Sequence, residues 1–404
     1  MKSVAREKPG ATHPSGGVPG RAIRGAGPPR GGELSPGGRT ALRRALCAWF
    51  AGAGRPLPWR ERYDPYEVWV AEMMLQQTQV EAVIPFFRRW MARFPDVAAV
   101  AAAPEEEVLK AWEGLGYYRR ARNLHEAARR MVADHGGRVP ADLEALRALP
   151  GIGRYTAGAV LSIGFDRAAP IVDGNVGRVL SRLFALPDAA RSSAGEARLW
   201  ELAEALLPSR APRAFNQGLM ELGALVCRPQ APRCGECPLR RWCRARALGS
   251  PERFPAAPLP KARPVREGSL LLLHDGAGRL LLRKRPAGGL WVGLWEPPWT
   301  ERSPAEGAPA AARRLLTALA LSPLGGLRRR GRVVHGLTHL ELRLACYAAQ
   351  VQATAGHALP SGNGASAWQW AGAAALAELP MARLGRKALA IGGDIPAGGS
   401  RTSG

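Results

Sequence analysis

Four cysteines, Cys227, Cys234, Cys237 and Cys243, lie within 17 residues as C-x6-C-x2-C-x5-C. Four thiols in one short loop suit a single metal centre, whereas a disulfide framework would spread them along the chain. Zinc sites usually pair two separated C-x2-C knuckles. Here there is one, with unequal spacers and no neighbouring histidine. A [4Fe-4S] cluster fits better, with zinc and then disulfides as the alternatives. Pro229, Pro232 and Pro238 stiffen the loop against regular structure. Cys47 and Cys346 sit among apolar neighbours and read as core residues. This use of cysteine points to a reducing cytoplasm.

Two carboxylates are candidates for proton and charge chemistry. Glu72 lies in Ala71-Glu72-Met73-Met74-Leu75. By itself it reads as a solvated helix glutamate, but burial against Met73 and Met74 would raise its pKa. Asp173 lies in Pro170-Ile171-Val172-Asp173-Gly174-Asn175-Val176. A helix is expected from Val176 to about Phe184 with Asn175 as its cap. The positive helix end favours a carboxylate, so Asp173 is expected to stay ionised. Its plain reading is a helix cap. If the two surroundings push the pKa values apart, the pair makes an acid and a charge stabiliser. Spacing alone does not show that they meet.

The elements that would position these groups are mostly helical. From Arg39, Leu42, Leu46, Trp49 and Phe50 share one stripe. Helical patterns continue to about Phe215. Asp64-Pro65 opens a helix through Leu75, with Trp69 and Met73 facing the core. Thr78 and Glu81 form a capping-box pattern, so a new helix is expected from Gln79 towards Met91. The chain then breaks at Gln76-Gln77, leaving two glutamines exposed to a partner. Asp142 caps a short helix that ends at Leu149-Pro150-Gly151-Ile152-Gly153, and a helix over Arg154–Phe165 follows at once. Gly151 and Gly153 allow a tight turn whose amide N–H groups face outwards at a helix start, where a phosphate can bind. No strand pair is expected before residue 265. After it, Ser269–His274 and Arg279–Arg285 flank Asp275-Gly276-Ala277-Gly278 as a hairpin. Leu340–Val351 alternates loosely, and Leu315–Leu321 lies in a helical stretch.

Composition sets the outer bounds. The 404 residues carry 57 Lys and Arg against 33 Asp and Glu, a net charge of +24. Such charge favours polyanions, nucleic acid first. A composition rich in Arg, Ala, Gly and Pro also follows from a GC-rich genome, so charge alone leaves the partner open. No apolar run approaches the ~18 residues of a membrane helix. The basic, Gly/Pro-rich N-terminus lacks a continuous apolar segment, so no secretory signal is expected.

The combination of Leu149-Pro150-Gly151-Ile152-Gly153, Val172-Asp173 and the four-cysteine loop resembles the helix-hairpin-helix DNA glycosylases. Within them, three segments are similar to the adenine DNA glycosylases (MutY type). These are Ala71-Glu72-Met73-Met74-Leu75-Gln76-Gln77-Thr78-Gln79-Val80, Gly114-Leu115-Gly116-Tyr117-Tyr118 and Ile171-Val172-Asp173-Gly174-Asn175-Val176. The likeness covers roughly residues 39–390.

The resemblance implies an all-α helix-hairpin-helix glycosylase core with a [4Fe-4S] loop, and a C-terminal α/β Nudix-like domain. The expected organisation starts with a disordered basic tail over 1–38 and a catalytic region over 39–246. Within the latter, a six-helix part spans about 65–170, and an iron–sulfur part combines the first helix with about 171–246. A linker over 247–266, a Nudix-like 8-oxoguanine-recognition domain over 267–392 and a flexible tail over 393–404 follow.

The implied reaction is excision of adenine mispaired with 8-oxoguanine, or with guanine, from duplex DNA by base flipping and N-glycosidic hydrolysis. The resemblance makes Glu72 the general acid and Asp173 the stabiliser of the sugar cation, supported by Asn175 and Tyr155. Trp59, Arg60 and Gln217 line the adenine pocket. Gln77 and Tyr117 enter the base stack with Leu115 beside them, and Gly151 and Gly153 bind phosphate. Thr338 and His339 contact 8-oxoguanine. Leu337 stands where the family usually has Phe, so stacking there is expected to be reduced. Cys227, Cys234, Cys237 and Cys243 bind the cluster. Related endonuclease III-like enzymes cut the strand through a lysine two positions after the second hairpin glycine. That position is Tyr155, which cannot form a Schiff base. Gly289-Leu290-Trp291-Val292-Gly293-Leu294-Trp295-Glu296 matches the Nudix-like domain, but 305–330 lacks the run of metal-binding glutamates, so pyrophosphate hydrolysis is not expected. A monomer acting on DNA in the cytoplasm, associated with the nucleoid and not with a membrane, completes the expectation.

Overall fold

The computed structural model describes residues 34–187, 192–256, 263–352 and 367–392. The expected tails over 1–33 and 393–404, and residues 257–262 of the expected linker, lie outside the described residues.

Among the described residues, everything before Val265 is helix, turn or loop. One helical layer is built around Pro65–Leu75. Asp64 caps it by accepting from the N–H groups of Tyr66 and Glu67, and Pro65 occupies the first turn, where no donor is needed. Every residue from Tyr66 to Met74 is buried, so this helix is enclosed on all sides. It packs among Val80–Arg93, Arg119–His135 and neighbours in a core containing Trp69, Trp90, Trp112 and Phe94. A second helical layer has its own core. Leu42 and Leu46 of helix Pro36–Ala53 meet Val176 and Leu180 of Gly174–Phe184, Leu199 of Ser193–Leu206, and Phe215 and Leu219 of Pro212–Leu225.

Several local expectations are corrected. The first helix begins at Pro36, because Ser35 Oγ accepts from Gly38 N. Helix Val80–Arg93 starts one residue late and without a capping box, and Glu81 pairs with Arg55 instead. Asp173, and not Asn175, caps Gly174–Phe184, with its carboxylate accepting from Val176 N. The helix expected over Arg154–Phe165 is α-helical only to Ala159 and widens to a π-turn over Val160–Gly164. The expected linker holds a short 3-10 helix at Pro251–Arg253.

The C-terminal part is a seven-stranded mixed sheet. Its strands are β1 (Val265–His274), β2 (Leu280–Lys284), β3 (Trp295–Glu296), β4 (Trp299–Glu301), β5 (Pro323–Gly336), β6 (Glu341–Val351) and β7 (Trp368–Ala371); five run in the order β3-β2-β1-β6-β5, while β4 pairs with β1 and β7 with β2. β1 and β2 form the expected hairpin, and Asp275 closes its turn by accepting from Ala277 N and Arg279 N. β1 runs parallel to β6. Helix Ala308–Ala318 covers the face of Leu271 and Leu273, and helix Arg383–Gly392 covers that of Leu270 and Leu272. Burial on both faces explains the unbroken apolar run Leu270–Leu273. β5 was not expected. It is an edge strand whose Arg328, Arg329 and Arg330 are exposed, so it carries no strand-like apolar alternation.

The two parts are joined directly. Leu294 and Ala382 insert into the core of the first helical layer. Glu113 accepts from Arg386 (2.6 Å), Glu106 accepts from Lys284 (2.7 Å) and Trp295 Nε1 (3.2 Å), and Tyr118 Oη donates to Met381 O (3.2 Å).

Candidate active site

A cavity of about 660 Å³ opens between the two helical layers. Glu72 reaches it from the buried helix Pro65–Leu75, and Asp173 from the start of Gly174–Phe184. Residues separated by a hundred positions thus face one space. Trp59, Arg60, Gln77, Tyr155, Asn175 and Gln217 also line it.

Glu72 is 3% exposed. Its Oε2 accepts a 2.6 Å hydrogen bond from Tyr155 Oη. Burial dominates that bond and pushes its pKa up to about 7, with the nearby Asp173 acting in the same sense. The expected rise therefore holds. Asp173 accepts from Val176 N (2.7 Å) and Asn175 Nδ2 (3.3 Å). Even so, burial outweighs these donors and raises its pKa above the ordinary aspartate value. The helix end therefore does not offset burial at Asp173. The two carboxylates shift in the same direction.

The surrounding side chains are fixed in turn. Arg178 Nη2 donates to Asn175 Oδ1 (2.8 Å) and to Gly223 O (2.8 Å), tying the Asp173 loop to helix Pro212–Leu225. Arg60 donates to Glu221 (2.9 Å), which also accepts from Arg55 (2.7 Å). Trp59 is buried edge-on against Phe87. Gln217 is buried, and its Nε2 has no partner among the described residues. Gln76, expected to be exposed, is half-buried and donates to Thr156 Oγ1 (3.4 Å), while Gln77 is exposed.

A second cavity, about 780 Å³, lies between the helical and sheet parts. Leu115, Tyr117, Thr338 and His339 line it, and Gln77 borders both cavities. Tyr117 is 47% exposed, and its hydroxyl lies 2.5 Å from Thr338 Oγ1. Leu337 packs against the sheet core and its N–H donates to Leu340 O (2.7 Å). The hairpin lies apart from both linings. Gly151 has φ +78°, and a Cβ there would sit 2.7 Å from Asn123 Cβ, so the turn requires glycine. Gly153 is exposed with open space around it.

The four loop cysteines are unpaired, and Cys227, Cys237 and Cys243 pack against the second helical core. Arg182 donates to Cys227 Sγ (3.4 Å) and to the carbonyls of Arg228 (2.7 Å) and Pro229 (2.9 Å). Cys243 Sγ lies 3.5 Å from Arg182 O. Burial and the neighbouring thiols raise Cys237. Four thiols in one loop, with Cys227 bonded by the buried Arg182 guanidinium, are the donor type of an iron–sulfur cluster. Among the described residues, no three His, Cys, Asp or Glu side chains are arranged to hold a single metal ion.

Sequence reasoning passed over Glu221 and Arg120. Glu221 holds Arg60 at the cavity wall. Arg120 shares the helical stripe of Leu124, Ala127, Ala128 and Met131, and a charge on an apolar stripe was the signal available.

The fold and site define a helix-hairpin-helix base excision protein joined to a Nudix-type sheet domain. Residues 70–205 match the HhH-GPD superfamily of base excision DNA repair proteins, and residues 269–390 match the NUDIX domain. The adenine DNA glycosylase of Homo sapiens is 38% identical over 76% of this chain and 66% of its own length. That of Rattus norvegicus is 37% identical over 76% of this chain and 70% of its own. That of Mus musculus is 36% identical over 82% of this chain and 74% of its own. The chain belongs to the adenine DNA glycosylases, enzymes of base excision DNA repair.

Proposed function

We propose that this chain is a monofunctional glycosylase that excises adenine opposite 8-oxoguanine, and opposite guanine, in duplex DNA. The observation that carries the reading is the convergence of Glu72 and Asp173 on one cavity, with Glu72 protonated near neutrality. Adenine leaves the base stack, at a cost of about a few kcal/mol, and enters the 660 Å³ cavity beside Trp59, Arg60 and Gln217. Gln217 Nε2 supplies a donor for the base edge. Glu72 gives its proton to N7 of adenine. The C1′–N9 bond breaks and its electron pair passes to the base. Asp173 stabilises the sugar cation, as paired carboxylates do in glycoside hydrolysis. Water adds to C1′ and returns a proton to Glu72. Tyr155 and Asn175 hold the two carboxylates. Tyr155 stands where a lyase would carry lysine, and among the described residues no lysine lines the cavity, so the strand stays intact.

Gln77, Leu115 and Tyr117 act on the separated bases, and Thr338 and His339 read 8-oxoguanine from the second cavity. Gly151 and Gly153 present amides to phosphate. Cys227, Cys234, Cys237 and Cys243 hold a [4Fe-4S] cluster, which when bound brings one-electron redox chemistry. Through Arg182, this chain ties that loop to the helix that begins at Asp173. The protein works as a monomer on the nucleoid.

The test is product analysis on A:8-oxoguanine, A:G, A:C and T:G duplexes without an alkali step. Adenine release should be fastest from A:8-oxoguanine, with no strand break and no borohydride-trapped adduct. E72Q should bind the duplex and release no adenine. Lyase-like cleavage, efficient trapping or an active E72Q would overturn the reading.

A further inference from the structure

Arg120, at the start of helix Arg119–His135, is buried and has no carboxylate partner among the described residues. Its guanidinium is bonded almost wholly to backbone. Nη1 donates to Met73 O (3.0 Å), Met74 O (2.8 Å) and Gln76 O (2.5 Å). Nη2 donates to Leu115 O (3.3 Å), Gly116 O (3.2 Å) and Thr78 Oγ1 (3.3 Å). The first set gathers carbonyls at the end of the helix that carries Glu72. Such carbonyls lack intrahelical partners, and this helix has no basic residue in its own last turn. The two carbonyls of the second set belong to the turn that precedes Tyr117. The Trp112 and Tyr117 rings lie 5.3 and 5.4 Å from the guanidinium carbon.

Gln77 and Tyr117 both have left-handed backbone, with φ +59° and +49°. Residues with side chains rarely adopt it, and it persists where the surroundings over-determine it. The carbonyls immediately before them, Gln76 O and Gly116 O, are both held by Arg120. One planar cation therefore sets both unusual turns and the end of the catalytic helix. Burial lowers its pKa to about 10, so it stays charged at neutral pH. A lysine, a point donor, cannot span both sets of carbonyls.

We propose that Arg120 is a positioning residue that locks Gln77 and Tyr117 in register with Glu72, so that opening the duplex delivers the nucleotide to the acid. This rests on the function proposed above. The test uses the full-length protein and a duplex with 2-aminopurine at the adenine position, whose fluorescence rises when the base leaves the stack. It is paired with single-turnover adenine release at saturating protein. R120K should lose about 100-fold in the saturated rate, the scale of an ångström-sized misplacement, and should lose the fluorescence rise. Duplex affinity should stay within about threefold, and the pH midpoint should match wild type. A saturated rate near wild type, a loss confined to affinity, or a fallen rate with the fluorescence rise intact would each overturn the proposal. If R120K does not fold, R120A is assayed with and without methylguanidinium. Recovery of rate by the added cation supports the proposal, and a folded variant without recovery overturns it. Unfolding of both variants also overturns it, because the role claimed is positioning and not folding. Absence of adenine release by the wild-type protein would instead refute the underlying function, whatever Arg120 does.

Discussion

At Glu72, one burial opposes folding and serves the acid role proposed for it. The carboxyl must hold a proton near neutral pH to act as an acid, and burial achieves this by penalising the charged form. Adenine release should therefore fall about tenfold per pH unit above about pH 7, where the protonated fraction is lost. The same shift affects stability. The folded pKa of about 7 lies above the ordinary glutamate value of 4.5. Glu72's contribution is thus fully favourable below pH 4.5 and is lost as pH rises towards 7, by about 3 kcal/mol in all. E72Q cannot ionise. In urea unfolding it should match wild type at pH 4.5 and exceed it at pH 8, and equal stabilities at pH 8 would contradict this account. In the sequence, Met73 and Met74 beside Glu72 allowed for its burial without fixing it, because enclosure comes from helices far along the chain. For Asp173, the helix dipole was legible, whereas the desolvation that outweighs it depends on packing across the cavity.

Among the elements, helix Pro212–Leu225 controls the Asp173 loop through a missing side chain. A Cβ on Gly223 would sit 2.6 Å from Asn175 Cβ and 3.0 Å from its backbone. Gly223 also offers its carbonyl to Arg178. Gly223→Ala should displace Asn175 and Asp173, cost about 1–3 kcal/mol of stability and lower the saturated excision rate about 10–100-fold. Single-turnover rates beside urea unfolding curves would check both. Most helices were legible because their apolar residues recur at helical spacing and Asp64 and Asp142 cap them. The π-turn over Val160–Gly164 was not, since Val-Leu-Ser-Ile-Gly reads equally as α-helix. The Thr78–Glu81 capping box failed because the cap falls one residue later, at Gln79. β5 escaped because an exposed edge strand has no need of an apolar face.

For the whole molecule, the net charge of +24 favoured an anionic partner without establishing one or saying where it binds. Arg60, Arg178 and Arg182 prove to be internal struts, so part of that charge builds the protein itself. Docking of the sheet part relies on Glu113, which accepts from Arg386 and from Met381 N. Glu113→Ala should weaken docking by about 1 kcal/mol and speed proteolytic cutting between the two parts. It should reduce discrimination between 8-oxoguanine and guanine more than it reduces adenine release. Unchanged proteolysis would show that the apolar insertion of Leu294 and Ala382 suffices. The contact between Tyr117 and Thr338 has a different consequence. It spans the cavity between the two parts, so the free protein closes on itself through two of the groups assigned to the mispair. DNA competes with an internal tenant, and the affinity measured for a duplex is the difference between two closures.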